Sequence, residues 1–396
     1  MSDTPTEIKR RPRPPRRARA ASSTNNVVEF AAVAAAPKRM KVVVTGGNGV
    51  LGSRLVKALA ARGDREVVVF DLVPPSDASP RTRHRFVDLN LPHADGTVLK
   101  LLREESPDVI VHLAAIRSPS RETTYAHELN SIGPLHVLAA AGEAGVPRVI
   151  LGSTTLVYGA RGDNPNFLTE DHPLRPDQND TFIRDFVEAE GHARAHVRRH
   201  PEAKVAILRF APLLAPDVRA YHARRFEAPA SVSLLGYDPL LQFLDPDDGV
   251  DALMRALDLR DLKGVLNIAP DGVVPLSTVD LLYGTLGVPV PHPLAYALIE
   301  ASWLAGIGVM PGVHAHYFRY LCLTDNEKAR RVLGWEPKSS TLEVVLRTAR
   351  ARRGKGRALD FDAVEEVARA AAYRFSVTVG RSHRDSAAAD EGRAAS

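Results

Sequence analysis

Apolar and polar positions along the first half of the chain fall into blocks whose period switches between strand and helix. Val42–Val44 form a short β-branched run suited to a strand buried on both faces. Leu51, Leu55, Val56 and Leu59 then recur at helical spacing, and "EVVVFD" supplies a second apolar strand that ends in Asp71. The blocks continue as "HRFVDLN" (strand), "TVLKLLREES" (helix), "PDVIVHLAA" (strand), "IGPLHVLAAAGEAG" (helix) and "PRVILGSTTLVYG" (strand and loop). Strands separated by helices of this length predict an α/β fold with a doubly wound parallel sheet. Ligands bind such sheets beyond the carboxyl ends of the strands. That rule places Asp88, His112–Ala115 and Thr154–Gly159 on the functional edge.

The first strand and helix are joined by Thr45-Gly46-Gly47-Asn48-Gly49-Val50-Leu51-Gly52. Glycines at this spacing let the chain turn tightly and let a pyrophosphate approach backbone N–H groups at a helix N-terminus. An acidic residue about 20 positions on is what the ribose hydroxyls require, and Asp71 supplies it. A carboxylate there repels a 2′-phosphate, so the cofactor expected is NAD(H) rather than NADP(H). The reading is therefore a Rossmann-type nucleotide-binding domain over 41–212. A mainly substrate-binding region is expected over 213–350, and a last helix and disordered end over 351–396.

Composition changes this picture at the ends. Residues 1–40 hold nine of the 52 Lys/Arg and three of the 47 Asp/Glu, so the remainder of the chain has a net charge of −1. The basic character belongs to an Arg/Pro-rich tail, expected to be disordered and to make no specific nucleic-acid contact. Glu29 interrupts the apolar stretch that follows, which argues against an export signal and for a cytoplasmic protein. The single cysteine, Cys322, excludes an internal disulfide and a thiolate metal cluster. His192, His196 and His200 would share one helix face, read as solvated rather than metal-binding. The apolar segment 294–310 is too short to span a membrane and contains Glu300, Gly306 and Gly308; a buried helix is expected, with peripheral membrane contact the weaker reading.

The glycine segment, Asp71, Asp88, "HLAA", "NSIGP" and "STTLVYG" resemble the extended short-chain dehydrogenase/reductase superfamily. Within it, the chain is similar to the NAD-dependent epimerase/dehydratase family typified by nucleotide-sugar 4-epimerases. "LQFLDPDDGVDAL", "GVLNIAPDG" and "DNEKARRVLGWEP" extend the resemblance to about residue 350. It implies an adenine contact from Asp88 and a cofactor pocket completed by Leu89, Leu113, Ala114, Ala115 and Asn130. It also implies a catalytic hydroxyl at Thr154, four residues before Tyr158; a small-molecule substrate is expected, and a homodimer is one possible assembly.

That family works through a Tyr-x-x-x-Lys pair. In "FIRDFVEAEG", which resembles the helix that carries it, Phe182 and Phe186 stand in those places. No lysine lies between Lys100 and Lys204, and none of the nine tyrosines has a lysine four residues later, so the pair is absent rather than shifted. Phenylalanine exchanges no proton. Loss of a general base lowers rates by on the order of 10²–10⁴. Tyr158, Arg184 and Asp185 are the nearby substitutes, but helical rotation turns 184 and 185 from the 182/186 face. Ala211 and Pro212 stand where the resemblance implies a nucleotide-holding asparagine, and Gln242 where it implies a basic residue. Those departures weaken a sugar-nucleotide substrate and favour a more hydrophobic alcohol or carbonyl, which the apolar stretch around 231–243 would suit. Two functions stay open at this stage: an NAD(H)-dependent oxidoreductase with an atypical active site, and a non-catalytic NAD-binding sensor or scaffold.

Overall fold

The computed structural model describes residues 39–75 and 82–353, together with 365–366 and 369–370. Most of the basic tail, of the polar C-terminal segment and of the last helix expected there lies outside the described residues.

The first six strands are β1 (Met40–Thr45), β2 (Arg65–Asp71), β3 (Thr82–Phe86), β4 (Val109–His112), β5 (Arg148–Thr154) and β6 (Lys204–Phe210). Five more follow: β7 (Ala230–Leu234), β8 (Leu240–Leu241), β9 (Gly264–Ile268), β10 (Val274–Pro275) and β11 (Leu286–Val290). Seven of them form one sheet in the order β3-β2-β1-β4-β5-β6-β9. Every neighbouring pair in it is parallel. The order reverses between β1 and β4, and a ligand crevice opens at such a switch point. β9 joins this sheet, so the chain crosses back over the boundary expected at 212.

Alternation along each strand assigns its side chains to the two faces. Val42, Val44, Val67, Val69, Val109 and Val111 join one apolar cluster, with α1 (Val50–Arg62) packed on it. Val43, Val68, Phe70 and Ile110 join the other, beneath α2 (Ala94–Glu105). Next come α3 (Thr123–His127), a π-helical turn over Glu128–Ile132 and α4 (Gly133–Ala144), so the helix expected from Ile132 is preceded by further helical turns. α5 (Thr181–Arg199) is followed by α6 (Tyr221–Glu227), α7 (Pro246–Asp258) and α8 (Leu276–Tyr283). The last three are α9 (His292–Leu304), α10 (Glu327–Leu333) and α11 (Thr341–Arg353). Residues of α6, α8, α9 and α11 build a third apolar cluster apart from the sheet.

Two sequence expectations are corrected here. α9 is not a buried helix: only Ala295 and Ile299 are buried, while Leu294, Leu298 and Leu304 are exposed and Ile307, just beyond it, is 81% exposed. A segment apolar on every side carries no periodic signal of which side finds a partner. Among the described residues no helix is long and apolar enough to cross a membrane. The His192/His196/His200 face is not simply solvated either, because His196 is buried and its ring lies 4.8 Å from that of His200. Helix α4 covers that side of α5, with Gly142 directly against the His200 ring.

Candidate active site

The turn from β1 into α1 is built on backbone approach. Gly46 has φ +68°, and a methyl there would stand 2.6 Å from the Ala114 backbone. A methyl at Gly52 would overlap the Gly46 carbonyl, and one at Gly47 would overlap Val69 of β2. Gly49, by contrast, meets only the Gly46 carbonyl oxygen and opens onto the main cavity. It is the N-cap residue of α1 and offers no side-chain cap, so the N–H groups of the first turn face that opening with the positive end of the helix dipole. Asn48, Val50 and Leu51 complete the turn. Asp71, at the end of β2, accepts hydrogen bonds from Asn48 N (3.0 Å) and Leu72 N (2.7 Å), which holds its carboxylate at the mouth.

The remaining cofactor candidates gather on the same strand ends. Asp88 is half-buried and accepts from Asn90 N at 2.9 Å, with Leu89 buried beside it. Buried Asn130, on the π-helical turn, clips the loop after β4: its Oδ1 accepts from Ile116 N (2.8 Å) and its Nδ2 donates to Ile116 O (3.1 Å). That loop carries Leu113 and Ala115 into the cavity wall and Ala114 against Gly46. Glycines that a Cβ would block, an uncapped helix start and a fixed carboxylate together fit a dinucleotide's pyrophosphate and ribose.

From this mouth a cavity of about 480 Å³ runs inward. Thr154, Phe182 and Phe186 all line it. The two phenyl rings meet edge to face, 5.4 Å between centroids, and both are buried. Thr154 ends β5 and its Oγ accepts from Leu156 N at 3.3 Å, capping a 3₁₀ turn. Its hydroxyl hydrogen remains free to donate.

Tyr158 does not reach the cavity. It is 1% exposed, donates to Asn267 Oδ1 (2.8 Å) and accepts from Arg209 Nη1 (2.6 Å). Burial pushes its phenol up to about 12, against the pull of Arg209. Arg209 in turn pairs bidentately with Glu190 (2.8 and 2.6 Å), which also accepts from Ser153 Oγ. This network braces α5 against β5 and β6 from below. Arg184 is exposed, while Asp185 is buried and pairs with His127 Nδ1 at 2.7 Å; neither lines the cavity. Ala211 and Pro212 do line it. Gln242 is a buried clip between Pro270 and Thr324, and residues 231–243 contribute nothing to this wall.

Sequence reasoning overlooked two features of the cavity. Arg117, just after "HLAAI", lies inside it, its guanidinium 5.9 Å from the Phe186 centroid and 6.0 Å from that of Phe210. Its Nη1 reaches Ser153 O at 3.4 Å, its Nη2 has no partner, and burial lowers its pKa to about 10. A lone cation after an apolar run was a usable signal. The second feature had none: Tyr221 lines the cavity and its hydroxyl lies 3.2 Å from His314 Nδ1, while His314 Nε2 lies 3.2 Å from Asp180 Oδ1.

A model of the NAD dependent epimerase/dehydratase family matches residues 42–269. An uncharacterized protein of Mycobacterium tuberculosis is 32% identical over 312 residues, 78% of this chain and 83% of that protein. A 3-diazoavenalumate denitrifying reductase of a Streptomyces species is 30% identical over 311 residues, 75% of this chain and 96% of the reductase. Among solved structures, MoeE5 in complex with UDP-glucuronic acid and NAD has a TM-score of 0.61 at 24% identity, covering 79% of this chain and 99% of its own. The Thermotoga maritima UDP-glucose 4-epimerase with UDP-glucose has a TM-score of 0.60 at 21% identity, covering 79% and 99%. At those identities the structural likeness is one of fold.

Proposed function

The chain belongs to the NAD-dependent epimerase/dehydratase family, and we propose that within it this protein is an oxidoreductase whose atypical site lacks the Tyr-x-x-x-Lys pair and takes a hydrophobic alcohol or carbonyl. One observation carries the reading. Phe182 and Phe186 form an edge-to-face wall of the same cavity onto which Gly49–Gly52 open. The chemistry is retained at the cofactor end and exchanged for apolar surface at the substrate end.

The mouth formed by Gly46–Gly52 and Asp71 would hold NAD, which when bound would supply the hydride acceptor or donor. The residues of the chain do the rest. Backbone N–H groups after Gly49 hold the pyrophosphate, and Asp71 takes the ribose hydroxyls and disfavours a 2′-phosphate. Asp88, Leu89, Leu113, Ala114, Ala115 and Asn130 shape the remaining pocket. Thr154 donates its free hydroxyl hydrogen to the substrate oxygen. The phenyl rings, with Leu156, Leu213 and Val218, exclude water and favour apolar surface over a sugar. Arg117 leaves one buried guanidinium nitrogen without an acceptor, and a polar oxygen on the ligand would satisfy it. The Streptomyces relative, by its name a reductase rather than an epimerase, supports a net redox reaction.

A second reading, a non-catalytic NAD-binding sensor or scaffold, draws on the inability of either phenyl ring to move a proton. Single-turnover assays with NAD(H) and a panel of aryl alcohols, aryl ketones and UDP-sugars separate the two. Wild-type turnover that falls in Thr154→Ala is the expected result. Wild-type inactivity, with activity restored by Phe182→Tyr/Phe186→Lys, would establish the sensor instead. Failure to bind NAD in equilibrium dialysis would remove both.

A further inference from the structure

We propose that Tyr221, backed by His314 and Asp180, carries the proton that the phenyl pair on α5 cannot, through a tyrosine–histidine–aspartate relay that ends in the cavity. The proposal rests on the oxidoreductase reading above and names the proton-transfer group of that same site.

Position is the first argument. Tyr221 opens α6, lines the cavity and meets the Phe182 ring edge-on, 6.5 Å between centroids. On the proposed reading Phe182 stands where the family's tyrosine works, so Tyr221 offers a phenol from the neighbouring wall. The His314 ring lies 5.8 Å from Phe182 on the same side.

Hydrogen bonding is the second. Asp180 is the N-cap residue of α5 and accepts from Ile183 N at 3.1 Å as well as from His314 Nε2 at 3.2 Å. On this proposal Asp180 accepts from Nε2–H of a neutral imidazole, which leaves Nδ1 bare to accept from Tyr221 O–H. The order of protons along the chain is thereby set, and the phenol oxygen keeps a lone pair for a ligand.

Burial is the third. Tyr221, His314 and Asp180 are 5%, 0% and 2% exposed. Three linked polar groups in a core lined by Phe182 are costly to desolvate, and apolar residues of similar volume would hold α5, α6 and the 312–318 turn together as well. Desolvation, then the nearby Asp180 charge, push the Tyr221 phenol up, so it enters the reaction as a neutral phenol.

The step balances. In alcohol oxidation the substrate O–H bond breaks and its proton goes to Tyr221 Oη, while the proton of Tyr221 passes to His314 Nδ1. The carbinol C–H pair leaves for oxidised NAD, C–O becomes C=O, and Asp180 stabilises the imidazolium. Carbonyl reduction is the reverse. Tyr221 touches substrate and is the catalytic residue; His314 and Asp180 are positioning residues.

The test uses the full chain. Nitrogen-15 spectra of labelled histidine, with His314→Gln supplying the assignment, should show an Nε2–H tautomer whose Nδ1 signal moves in Tyr221→Phe. Single-turnover reduction of 4-nitrobenzaldehyde by NADH should slow by on the order of a hundredfold in Tyr221→Phe with NADH affinity unchanged. Asp180→Asn keeps the helix cap and should slow the same step by about tenfold at unchanged melting temperature. An Nδ1 signal indifferent to Tyr221, or a Tyr221→Phe rate within about twofold of an active wild type, overturns the relay alone. A wild type that binds NADH but transfers no hydride overturns the oxidoreductase reading and the relay with it.

Discussion

The glycine-built mouth and the inner wall share one cavity but are built on different principles. The mouth is backbone: Gly46, Gly47, Gly49 and Gly52 come from one turn, and three of them sit where a methyl would strike backbone or a packed valine. The inner wall is side chains: Thr154, Phe182, Arg117 and Tyr221 come from four separate segments and meet only in the folded chain. A backbone site tolerates little change in sequence, because its geometry is its chemistry. A side-chain site can be rewired while its frame stays, and the Glu190–Arg209 brace under α5 is such a frame.

The contrast predicts unequal responses to substitution. Gly52→Val should have the largest effect, since any Cβ there overlaps the Gly46 carbonyl. NAD affinity should fall on the order of a hundredfold or more, read by calorimetry, with a lower melting temperature. An affinity that survives would mean the mouth is not the binding site. Glu190→Ala should act next, leaving the Arg209 guanidinium buried without its carboxylate. A loss of about 3–5 kcal/mol in urea unfolding is expected, with residual NAD affinity close to wild type in the folded fraction.

The smallest effect is on pH. Burial holds His112 and His222 down to about 4, with the Arg117 charge adding to the shift at His112. Both are neutral in the fold and titrate near 6.5 when unfolded. The unfolded chain therefore binds more protons between about pH 6.5 and 4, and stability is full above that window and lost as pH falls through it. His112 lies beside the mouth, bonded to Thr45 Oγ, and His222 in the inner wall, donating to Leu213 O. His222→Asn and His112→Asn should each flatten part of the acid-side decline in urea midpoint. An unchanged pH profile in both would show that other groups control it.

Much of this division follows from what a local pattern can encode. The period of apolar residues placed β1, α1, β2, β4 and β5 correctly, because strand and helix bury different spacings. The glycine turn and Asp71 were legible for the same reason, as one contiguous segment sets their geometry. Phe182 and Phe186 were legible as a face because four residues bring a helix back to one side. Tyr158 was a weaker inference: proximity along the chain to Thr154 did not bring it into the cavity, because Arg209 and Asn267 hold it elsewhere. α9 misled through composition, being apolar without a preferred side.

The order of local elements, the glycine turn with its carboxylate, and the pairing of Phe182 and Phe186 on one face of α5 were thus determined by sequence alone, since each depends on spacing within a few dozen residues. The tertiary structure alone decided what faces the Phe182 ring: 93 residues separate Tyr221 from His314 and 134 separate His314 from Asp180. Hydrogen bonds over such distances leave no periodic trace. They form only when packing of the third apolar cluster against α5 brings their partners to within bonding range.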